Sequence, residues 1–564
     1  MLITDGLVRY GDAHPGKLAI CIGRVHCTYG QLLQSVRCVA AAITALSDVW
    51  RSGDGLTERH LRPCVAVLLP NSVEFLEVFL GTTTAGGVAM VLNPDWPPAQ
   101  IQAILERWKP DVLVTQSSLL GLIGVSNERP VSDRSNHGYF AEDCPSFDAY
   151  CRQKQSGSQS IRAIALYGSP SQSDCMPDLT YPHTPEPTNL NQLCQKEGHR
   201  GESSTGQRPF YIGFTSGTTG FPKGVIRSHA SWVKSFEAGQ IEFGLSSEAQ
   251  IFVPGAFVHS LSLYAAVETL VNGATLHGFA RLTPKAMIQC LIQEPITRIV
   301  AVPALLKAIA QTMSRKQLSL PTVRTIISGG SKLRPDLRDQ LQACFPLATL
   351  FEYYGASELS FMTVASSLES VPVDSVGRAF HGVEVSVRRD DGMAASPKEI
   401  GWIGIHSEMV CSGYLEKPDD GTGFQVKEGW ATVGDRGWLD EAGYLYLAGR
   451  ERDMLICNGV NVYPAEIEAV LMTHPEIEDA VVIGIPDDCR GDIICAVLKM
   501  KVQAVNPSIE RSNLIAYLRQ RLEPEKCPRR FFLTDDLPMT TGGKVSRVDL
   551  KQQIMERSPN LLVL

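Results

Sequence analysis

The sequence has few of the features that mark secreted, disulfide-bonded or membrane-spanning proteins. Its cysteines number 15, which is odd, and none forms a C-x-x-C pair, so neither a disulfide framework nor a zinc ribbon is indicated. No stretch approaches the roughly 20 apolar residues that a spanning helix needs. No basic region followed by an apolar run opens the sequence, and we therefore expect a cytoplasmic location.

Positive charge is scarce too. Lysine and arginine number 52 against 60 aspartates and glutamates, which gives a formal net charge of -8. Such a balance provides no general attraction to nucleic acid or anionic lipid. We expect small-molecule partners, with any polyanion meeting a local positive pocket, and a chain that is either a monomer or a homodimer.

Apolar content and length are ample. The chain has 564 residues, 44% of them hydrophobic, and at a prior of about 150 residues per domain this suggests about three or four structural units. Apolar runs at 65–69 and 88–92 flank a helical pattern at 73–83, and the same rhythm returns over 299–344. The alternation predicts an α/β fold with doubly wound parallel sheets.

Two other segments differ in amino-acid composition and pattern. Residues 117–209 are rich in Ser, Asn, Gln, Pro and Gly, which predicts a flexible insertion with one embedded strand at 161–167. Residues 371–447 alternate short strands with glycine turns, a pattern typical of a small β-barrel-like part. A further α+β unit begins near Gly449, with a strand predicted at 480–485 and a helix at 509–522.

A loop rich in glycine and hydroxyl groups follows an apolar strand. Glycines expose backbone N–H groups, four hydroxyls add donors and a lysine adds charge, which together suit a polyphosphate. The loop is not a Walker loop, because no G-K-[ST] closes it, and a solvent-exposed connector is the alternative interpretation. Its sequence is Thr215-Ser216-Gly217-Thr218-Thr219-Gly220-Phe221-Pro222-Lys223-Gly224.

With this loop the sequence resembles the adenylate-forming superfamily of acyl-CoA synthetases, firefly luciferases and nonribosomal-peptide adenylation domains. The resemblance covers nearly the whole chain apart from residues 117–209. Several motifs in one order make coincidence negligible. They are Val253 to Ser260, Ser328-Gly329-Gly330, Tyr353 to Glu358, Gly434-Asp435, Gly449 to Asp453, Gly459 to Glu468, and Thr541-Gly542-Gly543-Lys544.

The resemblance implies a site for ATP. Glu358 and Thr218 would hold Mg²⁺, Tyr354 would cover the adenine, and Asp435 would accept hydrogen bonds from the ribose with Arg450 beside it. Without the resemblance, each residue has an ordinary alternative interpretation. Glu358 would be a solvent-facing glutamate, Tyr354 a core tyrosine and Asp435 a turn aspartate. The full implied nucleotide and CoA set is Thr215, Ser216, Gly217, Thr218, Thr219, Gly220, Lys223, Gly329, Gly330, Tyr354, Gly355, Ser357, Asp435, Arg450 and Gly459.

The resemblance also implies a mobile C-terminal domain. An N-terminal domain at 1–449 would be joined by a hinge at 450–452, pivoting at Arg452, to a cap at 453–564. Lys544 on the cap would bridge the substrate carboxylate and the α-phosphate, and the swing would then present the Gly459 turn to the pantetheine arm of CoA. Arg452, Ser357 and Asn461 depart from the residues frequent at these positions but preserve polarity.

The acyl-side motif bears on the substrate. In amino-acid-activating relatives an aspartate follows the phenylalanine of this motif, whereas here Phe257 precedes Val258 and His259. A buried ammonium without a partner is costly, so an α-amino acid is disfavoured. His259 is expected to border the acyl tunnel as a gate, or else to be a core histidine. The apolar neighbours suit a fatty or other hydrophobic acid, while aryl and succinylbenzoate-type acids stay open; they are Leu261, Leu263, Tyr264, Ala265 and Ala266.

These observations predict an ATP-dependent acid:CoA ligase. The acid and ATP would give acyl-AMP and pyrophosphate, and CoA would then form the thioester. No protein nucleophile is needed, which fits the absence of a G-x-S-x-G elbow. An acyl-AMP ligase that loads a carrier-protein phosphopantetheine, and a non-catalytic acyl or nucleotide sensor, are the alternatives. ATP, Mg²⁺ and CoA are the expected cofactors and co-substrates.

Replacement of Lys544 tests the implied division of labour. We expect Lys544→Ala to abolish acyl-AMP formation, measured as pyrophosphate release, because the charge that stabilises the adenylation transition state is lost. CoA transfer from supplied acyl-AMP should remain largely intact. Equal loss of both half-reactions would contradict the assigned role.

Overall fold

A computed structural model of the chain describes residues 2–53, 63–116, 118–119, 147–148, 163–167, 205–215, 222–416, 423–450, 453–457, 460–487, 491–501, 510–523, 526–539 and 545–564. Most of the predicted insertion at 117–209 lies outside these residues. The chain divides into two compact units. The first is Met1–Phe214, Ile226–Glu237 and Leu245–Leu282, and the second is Thr215–Val225, Ala238–Gly244 and Thr283–Leu564. The hinge predicted at 450–452 stays a prediction.

The first unit is built on two sheets. One has the order β10-β11-β1-β2 and the other the order β8-β4-β3-β5-β7-β6. The strands are β1 Leu18–Ile22, β2 Val25–Thr28, β3 Cys64–Leu68, β4 Val88–Val91, β5 Val112–Thr115, β6 Phe147–Asp148, β7 Ala163–Tyr167, β8 Pro209–Thr215, β10 Gln250–Phe252 and β11 Thr275–Gly278, with β9 at Lys223–Ser228. The helices are α1 Asp5–Ala13, α2 Tyr29–Gly53, α3 Val73–Thr84, α4 Pro98–Trp108, α5 His229–Phe243 and α6 Ser260–Val271. Of α5, the part that ends at Glu237 belongs to this unit.

The central strands of this unit are parallel and apolar. β3 pairs in parallel with both β4 and β5, and Val65, Ala66 and Val67 are fully buried. Continuous apolar strands of this kind are typical of parallel sheets covered on both faces. The Ser72 side chain accepts a hydrogen bond from Phe75 N and so starts α3 directly after the loop. The predicted α/β fold is confirmed.

The strands of the second unit fall into three groups. Their orders are β16-β15-β14-β13-β12, then β20-β21-β18-β22-β23 with β17 on β18, and β25-β24-β27-β28-β29 with β26 on β27. The strands are β12 Arg298–Val300, β13 Thr325–Ser328, β14 Thr349–Ala356, β15 Ser360–Ser366, β16 Arg378–Ala379, β17 Glu384–Arg388, β18 Gly401–His406, β19 Gly413–Tyr414, β20 Gln425–Lys427, β21 Trp430–Thr432, β22 Asp435–Leu439, β23 Leu445–Arg450, β24 Leu455–Cys457, β25 Val460–Val462, β26 Ile477–Asp487, β27 Gly491–Met500, β28 Arg530–Thr534 and β29 Leu562–Val563. The helices are α7 Pro284–Gln293, α8 Pro303–Arg315, α9 Pro335–Cys344, α10 Pro464–Met472, α11 Arg511–Arg519 and α12 Arg547–Met555.

The three groups of this unit differ in pairing. β12, β13 and β14 are parallel neighbours, whereas β14 turns back on β15 as an antiparallel hairpin. Most of the short strands predicted over 371–447 form the antiparallel sheet around β18, whereas β16 pairs with β15. Antiparallel neighbours place residues directly opposite one another, and this pairing positions the polar groups described below.

The C-terminal sheet buries both faces. Ile477, Val482 and Leu514 belong to a core on one face, and Val481, Val497 and Leu550 belong to a core on the other. Alternation of side chains along β26 therefore sends consecutive valines to opposite cores. Among the residues that the structure describes, no helix is both long and apolar enough to cross a lipid bilayer.

A partly buried ion pair ties helices α10 and α12 to β26. Arg547 Nη2 lies 2.8 Å from Glu468 Oε1, and Arg547 Nη1 donates to Val482 O at 2.6 Å. Val482 N in turn donates to the same carboxylate at 2.7 Å. Burial raises the pKa of Glu468, and Arg547 opposes that shift. Loss of the arginine would leave a largely buried carboxylate without its cation.

We expect Arg547→Met to lower the free energy of unfolding by about 2 kcal/mol, because the remaining carboxylate loses its cation. Arg389→Met is a matched control, since its ion pair with Asp391 has side chains 41% and 55% exposed and should contribute much less to stability. Urea unfolding followed by circular dichroism measures both. Equal losses of unfolding free energy in the two variants would show that the Arg547–Glu468 pair stabilises the fold no more than an exposed ion pair does.

Candidate active site

Glu358 lies in the tight turn of the β14–β15 hairpin. Leu359 N donates to Ala356 O at 3.1 Å, and Ser360 has a φ of 63°, the left-handed conformation that often follows a turn of this kind. Gly355 permits the close approach, since a Cβ there would lie 2.1 Å from Ser360 O. The turn buries Glu358, which is 8% exposed, and places Ser357 beside it.

Tyr354, Asp435 and Arg450 form one hydrogen-bonded set. Asp435 lies directly opposite Arg450 in the antiparallel β22–β23 pair, and Arg450 Nε donates to Asp435 Oδ1 at 3.1 Å. The Tyr354 hydroxyl donates to Asp435 Oδ2. Asp435 is 6% exposed, so both donors compensate for its burial. The structure thus brings together three of the residues predicted for the nucleotide.

The two donors of this set, Tyr354 and Arg450, keep their protons near neutral pH. Burial, together with the Asp435 carboxylate, holds the pKa of Tyr354 well above its usual value, so the phenol stays protonated and donates. Although burial acts to lower it, the pKa of Arg450 is raised overall by Asp435 and other anionic neighbours. The set therefore pairs one carboxylate with one cation and one neutral donor.

The predicted glycine turn follows β13. A Cβ on Gly329 would lie 2.4 Å from the Tyr353 ring, and Gly330 has a φ of 93°, which favours glycine. Gly329 therefore lets an aromatic ring pass close to the backbone. Ser328 is fully buried at the end of the strand, so the turn begins in the core.

Glu352 is an anchoring residue that sequence reasoning missed. It is 5% exposed and accepts a hydrogen bond from Leu333 N at 2.9 Å, and Arg338 of α9 donates to its other oxygen. Burial raises the pKa of Glu352, and Arg338 opposes that shift. The sequence carried one sign of this role, since Glu352 is the single charged residue of the strand Thr349–Ala356. The contact fixes the chain just beyond the Gly329–Gly330 turn.

The ends of the predicted phosphate loop lie in the second unit. Thr215 ends β8 and Lys223 begins β9, and both strands are divided between the two units, with these end residues in the second. The Lys223 ammonium lies 5.8 Å from the centroid of the Tyr414 ring, and Tyr414, which the sequence did not single out, donates to Glu358 Oε1 at 2.7 Å. Lys223 and Glu358 are thus linked through one aromatic side chain.

His259 belongs to the first unit. It precedes α6, and its backbone N donates to Ala256 O at 3.0 Å. Burial lowers the pKa of His259, and Asp95 opposes that shift. Phe257 is fully buried, and its N donates to the side chain of Asn71 at 2.7 Å. The acyl-side motif is therefore anchored to the segment that precedes α3.

Several predicted site residues cannot be placed, because they lie outside the described part of the chain. They are Ser216, Gly217, Thr218, Thr219 and Gly220 of the phosphate loop, Arg452 of the hinge, Gly459, and Lys544. Their roles remain predictions.

The polar groups of this unit suit a nucleotide and a divalent cation. Each oxygen of Asp435 has a second acceptor position for a hydroxyl, and Arg450 keeps donors beyond Nε. Glu358 offers a hard carboxylate oxygen, and Mg²⁺ is commonly held by one or two carboxylates together with phosphate oxygens and water. A single buried carboxylate therefore fits Mg²⁺ that arrives with a polyphosphate.

The family comparison matches almost the whole chain. The AMP-binding enzyme family matches residues 7–415, and the AMP-binding enzyme C-terminal domain matches residues 466–544. A protein of Bacillus subtilis (strain 168) named as an uncharacterised acyl-CoA ligase, YhfT, is 31% identical over 99% of both chains.

Other relatives carry more specific names. The long-chain-fatty-acid–CoA ligase FadD13 of Mycobacterium tuberculosis is 26% identical over 93% of this chain and 94% of that protein. A 2-succinylbenzoate–CoA ligase of Geobacillus kaustophilus is 30% identical over 61% of this chain and 70% of that protein. Among solved structures, ATP-bound MatB from Rhodopseudomonas palustris superposes with a TM-score of 0.75 at 22% identity, covering 99% of this chain and 100% of that one. The likeness to MatB shows a shared fold.

Removal of one hydroxyl tests the Tyr354–Asp435–Arg450 set. We expect Tyr354→Phe to lower the free energy of unfolding of the ligand-free protein by about 1–2 kcal/mol, since the buried Asp435 loses a donor. Tyr517→Phe is the control, because that hydroxyl pairs with Thr473 in an exposed contact. Urea unfolding measures both variants. A Tyr354→Phe effect no larger than that of the control would rule out a stabilising role for this bond.

Proposed function

Since the chain belongs to the AMP-binding enzyme family, we propose that it is an ATP-dependent acid:CoA ligase acting on a hydrophobic, fatty carboxylic acid. The observation that carries this proposal is the Tyr354–Asp435–Arg450 set beside the buried Glu358. It offers an aromatic ring for the base, a carboxylate for the ribose hydroxyls and a further carboxylate for a cation. Relatives named as acyl-CoA ligases support CoA as the acceptor.

In the first half-reaction the carboxylate of the acid attacks the α-phosphorus of ATP. The new bond joins the carboxylate oxygen to phosphorus, and the bond to pyrophosphate breaks. The chain contributes alignment and positive charge rather than a nucleophile. We assign the charge to Lys223, Arg450 and Lys544, of which Lys544 meets the carboxylate and α-phosphate.

Glu358, with Thr218, would hold Mg²⁺ against the phosphates. When bound, that ion supplies charge neutralisation of the polyphosphate. The buried position of Glu358 in its hairpin turn supports this assignment, because a carboxylate that is fixed before binding loses little freedom when it meets the ion. Tyr354 would cover the adenine.

In the second half-reaction the CoA thiol attacks the acyl carbonyl and AMP leaves. We assign the hinge to Arg452 and the approach of the pantetheine arm to the turn at Gly459. Movement of the cap would withdraw Lys544 once the adenylate has formed. These roles rest on the positions of the motifs in the sequence.

The acyl-side motif supports a hydrophobic acid. Phe257 is fully buried and packs on Phe75 with ring centroids 5.7 Å apart. Neither Val258 nor His259 provides a carboxylate for an ammonium group, and the lowered pKa of His259 keeps its ring neutral near pH 7. An aryl or succinylbenzoate-type acid is the second candidate, favoured by the relative with that name. A carrier protein is the alternative acceptor.

A pyrophosphate-release panel tests the function. We expect fatty acids to release pyrophosphate faster than aryl, succinylbenzoate-type or amino acids, because the motif is apolar and lacks a carboxylate. Addition of CoA should yield the matching thioester and AMP, measured by mass spectrometry. Lys544→Ala serves as the inactive control for pyrophosphate release.

Each contrary outcome has a distinct meaning. Release with aryl or succinylbenzoate-type acids alone would transfer the assignment to those substrates. Release without any thioester from free CoA, but with loading of a phosphopantetheinyl carrier protein, would support the carrier-protein alternative. No release with any acid would refute the proposed function.

A further inference from the structure

We propose that Tyr414 is a positioning residue that aims the Glu358 carboxylate at the Mg²⁺ of bound ATP. The inference deepens the proposed function and rests on it, because Glu358 takes the ion there. The segment Cys411–Leu415, called the clamp below, joins this glutamate to the end of the predicted phosphate loop. All of these residues belong to the second unit.

The Tyr414 hydroxyl is held from two sides. It donates to Glu358 Oε1 at 2.7 Å and accepts a hydrogen bond from Phe424 N at 3.1 Å. A hydroxyl whose proton and lone pair are both engaged cannot rotate freely. The hydrogen bond therefore holds Oε1 in a defined direction and, through the carboxylate plane, fixes Oε2 as well.

Gly423 makes this arrangement possible. Its φ is 91°, and a Cβ there would lie 2.6 Å from the Tyr414 hydroxyl oxygen. Any other residue would be strained and would push the phenol away. The glycine thus allows the backbone of the next residue, Phe424, to reach the hydroxyl.

Backbone hydrogen bonds place the clamp between two parts of the site. Cys411 N donates to Glu358 O at 2.7 Å, and Leu415 N donates to Gly224 O at 2.8 Å. Tyr414 lies between these anchors, with the Lys223 ammonium 5.8 Å from its ring centroid, within reach of a cation–π attraction. The clamp therefore sets the distance between a glutamate and a lysine that would both face the phosphates.

The geometry leaves one oxygen of the glutamate for the cation. Within the described part of the chain, Glu358 Oε2 makes no hydrogen bond, while Oε1 is taken by Tyr414. Partners of this kind orient metal-binding carboxylates and increase their affinity for the ion.

Tyr414→Phe removes the hydroxyl and keeps the ring. Binding of a non-hydrolysable ATP analogue would be measured by isothermal titration calorimetry across a Mg²⁺ series and in EDTA. We expect the variant to need about tenfold more Mg²⁺ for half-maximal enhancement of binding, because the carboxylate is no longer aimed. Affinity for the analogue in EDTA should stay within about twofold of the original protein, since the ring and the fold remain.

Tyr446→Phe is the matched control. Its hydroxyl also donates to a carboxylate, Asp440 Oδ2, at 3.1 Å, but this aspartate is not among the residues assigned to ATP or Mg²⁺. Its Mg²⁺ requirement should equal that of the original protein. Gly423→Ala is a second test variant and should raise the Mg²⁺ requirement in the same direction as Tyr414→Phe.

An unchanged Mg²⁺ requirement in Tyr414→Phe would overturn the inference. Equal weakening with Mg²⁺ and in EDTA would also overturn it, because a general structural role would then explain the effect. Failure of the proposed function looks different. The original protein would bind the analogue with Mg²⁺ dependence but release no pyrophosphate from ATP with any acid.

Discussion

Compensation of buried carboxylates is the constraint on which the candidate site depends. Glu352, Glu358 and Asp435 are 5%, 8% and 6% exposed. A buried carboxylate is costly unless donors or cations satisfy it. In each case a donor comes from another segment: Arg338 for Glu352, Tyr414 for Glu358, and Tyr354 with Arg450 for Asp435. The need to satisfy these charges holds the strands and loops of the site in register.

Sheet pairing decides which side chains can meet this need. Asp435 faces Arg450 because β22 and β23 are antiparallel with these residues opposite one another. Glu358 is presented by a hairpin turn whose close approach requires Gly355. Polar groups are therefore placed by backbone geometry before a ligand binds, which is the kind of preorganisation that phosphoryl and acyl transfer require. The same logic extends to the clamp, where backbone bonds carry Tyr414 to Glu358.

Regular elements were predicted well where local signals are strong. The helix expected at 73–83 is Val73–Thr84, since Ser72 caps it and its apolar pattern is helical. The strand expected at 480–485 is longer, Ile477–Asp487, because its ends are set by pairing with β27. The helix expected at 509–522 is Arg511–Arg519, and its apolar pattern continues past the last helical turn. The ends of helices and strands are harder to predict from the sequence, because they depend on a partner strand or a cap.

The sequence by itself determined the α/β fold, the family and the identities of the polar residues in its motifs, because periodicity and motif spacing are local properties of the chain. Only the tertiary structure decided which of these residues act as partners. Tyr354 bonds Asp435 across 81 positions, and Tyr414 bonds Glu358 across 56. Contacts over such separations are set by sheet register and by the burial of charge, which no local pattern encodes. For that reason Tyr414, an unremarked tyrosine after a glycine, became visible as a partner of Glu358 only in the folded chain.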